Sequence, residues 1–185
     1  SSYTYQWQVS DNNSSWSNIS GATGKTYSAS ATNTGSSNIT KYYRVTVGGD
    51  GQSGTTSSVS VTYRPQLVAG TITGGGSYSY GSSVTLTAHP SGGTGSGYSY
   101  QWQQSTNNST WSNIAGATSS TYSAIGNNQT VYYHVTVSGD SQTKTSSSVS
   151  VTWRAQLTAG SITGGGQTTY SGGSVTLTAN PSGGT

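Results

Sequence analysis

The chain has 185 residues, of which 29% are hydrophobic and only 5% charged, with a formal net charge of +3 from 6 basic and 3 acidic residues. Cys is absent, which excludes disulfides and thiolate metal sites. There is no basic patch of the kind nucleic acids require, and no apolar run approaches the ~20 residues of a membrane-spanning helix. Few aliphatics alone would suggest disorder, but disorder also goes with high net charge. Here 14 Tyr and 5 Trp in alternating patterns point to folded β structure instead.

The first strand is expected at Tyr3 to Val9, where Tyr3, Tyr5 and Trp7 alternate with polar residues. A turn at Asp11-Asn12-Asn13-Ser14 follows, then short strands at Trp16 to Ile19 and at Thr26-Tyr27-Ser28-Ala29. Tyr42 to Val47 puts Tyr43, Val45 and Val47 on one face. After a turn at Gly48 to Gly51, Val59, Val61 and Tyr63 line the inner face of a last strand. Tyr63-Arg64-Pro65-Gln66 then forms a joint, which recurs as Trp153-Arg154-Ala155-Gln156. A Gly-rich, edge-like segment at Ala69 to Gly76 precedes a strand at Val84 to Ala88 and a loop at Pro90 to Gly97.

From Tyr98 the pattern starts again. Trp7, Trp16 and Tyr27 match Trp102, Trp111 and Tyr122 at an offset of 95. Tyr43, Asp50, Val59 and Arg64 match Tyr133, Asp140, Val149 and Arg154 at an offset of 90, because five residues are missing from a polar loop. A repeat of this length is a whole small domain rather than a solenoid turn. The first-strand pair returns from Gln156 to Ala179, and no segment carries a helical period.

The stretch Gly81 to Ala88 resembles strand B of an immunoglobulin domain, with Ala88 where that family has its first Cys. Trp102 follows where the strand C Trp belongs. Tyr133-His134-Val135, like Tyr43-Arg44-Val45, resembles the Tyr-x-Cys of strand F with Val for Cys. Together these features resemble the cysteine-free, tandem immunoglobulin-like repeats of bacterial surface and secreted proteins, adhesins and stalks among them.

The resemblance implies an all-β chain of immunoglobulin-like sandwiches in tandem, about 90 residues each. Residues 1–63 would be strands C to G of one unit, 66–153 a complete unit, and 156–185 strands A and B of a further one. It implies core anchors at Trp7, Trp102, Tyr43, Tyr133, Val45, Val135, Ala88 and Ala179. The chain is expected to be a mature or internal segment. Its partial sandwiches are expected to be completed across a Thr185-to-Ser1 boundary, by the same long chain or by a separate one.

Catalysis needs convergent titratable groups. The acids are Asp11, Asp50 and Asp140, and neither His89 nor His134 recurs in the repeat. Asp50 and Asp140 stand in Gly-rich turns, better suited to a turn role than to calcium. No enzyme activity, cofactor or metal is expected. Trp16 and Trp111 are candidate glycan contacts, against the alternative that they cover the core beside Ile19 and Ile114. Tyr63, Arg64, Trp153 and Arg154 are expected to pack between units, with ring and guanidinium in contact. The expected role is a structural repeat of an extracellular fibre, filament or adhesin stalk whose partner is its own neighbour. A carbohydrate-binding accessory module is the alternative.

Overall fold

A computed structural model describes residues 2–93 and 96–184, which are all-β and contain no helix. Thr94 and Gly95, inside the loop expected at Pro90 to Gly97, lie outside the described residues. So do Ser1 and Thr185, where the join between units is expected. The chain divides into two compact units, residues 1–67 with 92–96, and residues 68–91 with 97–185.

The second unit holds the larger core. Its strands are β1 to β5's counterparts and more, so the first unit's ranges are given first. In the first unit β1 (Thr4–Ser10), β2 (Ser17–Asn18), β3 (Ile39–Gly49), β4 (Gln52–Thr55) and β5 (Val59–Tyr63) form one antiparallel sheet in the order β2-β1-β3-β4, with β5 also on β3. In the second, β6 (Val68–Thr73), β8 (Ser83–Ser91) and β11 (Thr121–Ile125) form a three-stranded sheet in the order β11-β8-β6. β7 (Gly76–Tyr78), β9 (Ser99–Ser105), β10 (Ser112–Asn113), β12 (Gln129–Gly139), β13 (Gln142–Thr145) and β14 (Val149–Trp153) form another. Its order is β10-β9-β12-β14-β7, with β13 also on β12. β15 (Thr158–Thr163) and β16 (Thr178–Ser182) make a sheet of two.

Period-2 alternation decides which residues are covered. On β12, Val131, Tyr133, Val135 and Val137 are buried, while Tyr132, His134 and Thr136 are only partly so. On β8, Val84, Leu86 and Ala88 are buried between more exposed neighbours. Tyr122 of β11 ties the two sheets together. Its ring lies 6.0 Å from that of Trp102 and 5.7 Å from that of Tyr133. Burial in this cluster pushes the Tyr133 hydroxyl up to about 12.

The first unit repeats one of these sheets without the other, and its burial changes accordingly. Trp102, Val135 and Val137 are fully covered, but Trp7, Val45 and Val47 are partly exposed. The expected strand at Thr26 to Ala29 does not form, although its counterpart Thr121 to Ala124 lies within β11. The reason is hydrogen bonding: β11 exists by pairing with β8, and the first unit has no strand in β8's place. Tyr27 nevertheless keeps its ring contacts, 5.8 Å from Trp7 and 6.1 Å from Tyr43.

Two boundaries also differ from the sequence pattern. β8 runs through Pro90, which was expected to open a loop. The pairing with β6 shifts between Val68 and Thr71, so Pro90 lies opposite a bulge that asks no N–H of it. Gly70 makes that bulge, with φ +71 and its absent Cβ only 1.8 Å from the His89 carbonyl oxygen. β2 is shorter than expected and excludes both Trp16 and Ile19.

Trp102→Ala should cost about 3–5 kcal/mol, as for other fully buried large aromatics. The equivalent Trp7→Ala should cost only about 1.5 kcal/mol, in line with partial burial. Denaturant unfolding of the two variant chains checks this difference; equal losses would contradict it. Ser99→Ala, on an exposed position of β9, should be nearly neutral.

Candidate functional site

Two kinds of surface stand out, a polar ladder with a Trp on the outer side of each large sheet, and apolar faces that nothing covers. On the outer side, Asn113, Gln103 and His134 are cross-strand neighbours on β10, β9 and β12. The Gln103 amide donates to Asn113 Oδ1 at 2.7 Å, and His134 Nε2 is bonded to Gln103 Oε1, which makes that nitrogen the donor. Trp111 stacks on the imidazole at 3.7 Å and 12°. In the first unit Asn18, Gln8 and Arg44 occupy the same row. Gln8 donates to Asn18 Oδ1 at 2.8 Å, Arg44 Nε donates to Gln8 Oε1 at 2.7 Å, and the guanidinium lies 4.2 Å from the Trp16 ring centre.

Trp16 and Trp111 therefore lie on the outer side of the sheet, not over the core beside Ile19 and Ile114. The reason is register: the residue each ring covers, Arg44 or His134, alternates with buried neighbours. The Gln and Asn members of the ladder carried no signal in the sequence, because only cross-strand pairing brings them into a row. The recurrent Gln-Trp-Gln was the one trace of it.

The expected joint residues are placed differently from the expectation. Trp153 is 1% exposed, and its indole N–H donates to the Ser82 carbonyl at 2.8 Å within its own unit. Its ring fills the space a Cβ on Gly126 would need, 2.5 Å away. Tyr63 shares a 2.9 Å hydroxyl bond with Tyr43, and its carbonyl accepts from Asn33 at 2.9 Å. A core that lacks aliphatics draws both rings inward. Arg64 and Arg154 stay exposed, and the observed cation–π contact belongs to Arg44.

The core anchors divide the same way. Trp102, Tyr43, Tyr133, Val135 and Ala88 are buried, whereas Trp7 and Val45 are half-covered and Ala179 is exposed. Leu86 and Ile72 are 0% and 8% exposed, but their counterparts Leu177 and Ile162 are 62% and 70% exposed. These uncovered faces form the apolar surface of the molecule.

Titratable groups do not converge. Asp11 pairs with Lys41 at the surface. Asp50 and Asp140 open two-residue turns with φ 53 each, as hairpins between β3 and β4 and between β12 and β13 require. Among the described residues no three of His and Asp come together to hold a metal ion. A polar depression of about 490 Å³ beside the 105–112 turn recurs at about 270 Å³ beside 10–17, where the Asp11–Lys41 pair enters it.

His134 supplies a pH test. Burial holds its imidazole below the ordinary value of 6.5, because the charged form loses hydration. The unfolded chain then takes up the proton more readily than the folded one. Stability contributed by neutral His134 is complete above about pH 6.5 and is lost as pH falls through the folded value. The melting temperature of the chain should fall between pH 7.5 and pH 5. His134→Arg, which copies the Arg44 arrangement, should flatten that profile; an unchanged slope in this variant would rule out His134 as its source.

No curated protein matches the chain. A family model described as a domain of unknown function (DUF8696) matches residues 1–65 and 68–155. These stretches make up most of the sequence, one falling on each repeat, and the chain belongs to that family, domain of unknown function DUF8696.

Proposed function

We propose that the chain is a structural repeat of an extracellular fibre, filament or adhesin stalk. In this reading immunoglobulin-like sandwiches are chained head to tail, each open one being completed by a neighbour. One observation carries it: the same side chains are buried in the middle of the chain and bare at its flanks. Leu86 has Leu177 as its exposed copy, Ile72 has Ile162, and Trp102 has the half-covered Trp7. Each bare face matches a face whose covering is visible in the middle stretch. The pairing of β6, β8 and β11 on one side and β7, β14, β12, β9 and β10 on the other supports the sandwich reading, with Trp102 on β9 and Tyr133 on β12. The low-charge surface rich in Ser, Thr and Asn supports a place outside the cell.

The test is electron microscopy of the purified chain at increasing concentration. Beaded filaments are expected; single particles at every concentration would overturn the reading.

A second reading, a carbohydrate-binding module, gains support from the outward position of Trp16 and Trp111 beside amide side chains. Under it, Trp111→Ala abolishes binding on a glycan array while the melting temperature changes little. Under the fibre reading neither form of the protein binds glycans.

A further inference from the structure

Resting on the fibre reading, we infer that residues 26–30 of one copy of this chain pair as an antiparallel strand with residues 174–179 of a second copy, in a fixed register. The two segments are copies of strands that pair within the middle stretch. Thr26, Tyr27, Ser28 and Ala29 repeat Thr121, Tyr122, Ser123 and Ala124 of β11. Val175, Leu177 and Ala179 repeat Val84, Leu86 and Ala88 of β8. In the complete pair Thr121 faces Thr87, Tyr122 faces Leu86, Ser123 faces Thr85 and Ala124 faces Val84, and Ala88 N donates to the Ser120 carbonyl at 2.9 Å.

At the flanks both halves are present and unpaired. Residues 26–30 form no strand, and β16 retains only Thr178–Ser182. The lost part, 174–177, repeats 83–86, which is the part of β8 that carries β11. Each half has kept its shape all the same. Gly164 has φ +93, and a Cβ there would stand 2.1 Å from the Thr176 carbonyl oxygen. Gly74, at φ +97, stands in the same relation to Thr85 at 2.2 Å. The donor backbone is thus held against β15 as β8 is held against β6. On the acceptor side the Tyr27 ring already rests against Trp7 and Tyr43, as Tyr122 rests against Trp102 and Tyr133. Little ordering remains to oppose pairing, which keeps its entropic cost low.

Transferring the register puts Thr26 opposite Thr178, Tyr27 opposite Leu177, Ser28 opposite Thr176 and Ala29 opposite Val175, with Ala179 N donating to the Lys25 carbonyl. Leu177 then covers the face that holds Trp7. The mode is addition of a strand at an open edge, with main-chain bonds for affinity and alternate side chains for specificity. A second copy is the occupant because this chain itself carries the matching donor sequence, with both faces bare.

The chain has no Cys, so engineered thiols report the register cleanly. Thr85 and Ser123 are exposed and face each other without mutual main-chain hydrogen bonds, the arrangement with the shorter cross-strand distance. The corresponding full-length variant is Ser28→Cys with Thr176→Cys. Under mild oxidation it should give a ladder of disulfide-linked dimers, trimers and larger species. Ser28→Cys with Thr178→Cys, two residues out of register, should give at least tenfold less. Thr85→Cys with Ser123→Cys should close inside a monomer. If this last pair closes while the 28/176 variant stays monomeric, with its thiols free or joined within one chain, the inference falls. Filaments that persist without the ladder leave the fibre reading in place and remove only the register; loss of both removes both.

Discussion

Trp102 is fully buried because a second sheet lies against the one that carries it. That dependence governs the whole chain. A sheet whose inner face holds Trp, Tyr and Val is stable only when the face is covered, and the aliphatic residues that cover it here are few. Leu86, Ile72, Val84, Ala88 and Ala124 provide the cover in the middle stretch, and Tyr122 reaches across to the rings beneath. Where the same sequence lacks its cover, β1 and β3 still pair through their full register, but their inner residues stay partly wet. Main-chain bonding thus survives on one sheet while the hydrophobic contribution waits on the other.

Much of this was legible in the residues. Alternation located β1, β3, β9 and β12, and the 90- and 95-residue offsets marked the repeat before any strand was paired. Failures came where the outcome depended on a partner. Thr26 to Ala29 has the composition of a strand, yet nothing local states that its hydrogen-bonding neighbour is absent. Pro90 looks like a terminator, and only the bulge at Gly70 makes it tolerable inside β8. Trp153 and Tyr63 looked like joint residues because they adjoin Arg. Their turn toward the core follows from the shortage of aliphatics and from the space left at Gly126. The outer ladders depended on register, which a linear pattern does not encode.

The ladders also show how the two repeats diverge. Gln8 and Gln103, Asn18 and Asn113, Trp16 and Trp111 are kept in kind and geometry, while Arg44 is exchanged for His134. Both are planar cations or potential cations that stack on an indole and donate to the same amide oxygen. The position selects flatness and a donor, and leaves the charge free to vary.

The pairing of β7 with β14 is parallel, unlike every other strand pair among the described residues. Three residue pairs hold it, Val151 with Gly76, Thr152 with Ser77 and Trp153 with Tyr78, extended by Arg154 N donating to the Tyr78 carbonyl at 3.0 Å. In an antiparallel hairpin such as β12 with β13, a pull on the two outer ends opens the hydrogen bonds one after another. Parallel strands have their starts side by side, so a pull on the start of one and the end of the other slides them along each other. Every bond across β7 and β14 then carries the load at once. Stretching the chain from its ends would meet its stiffest resistance there, in a patch clamped by the Trp153 ring.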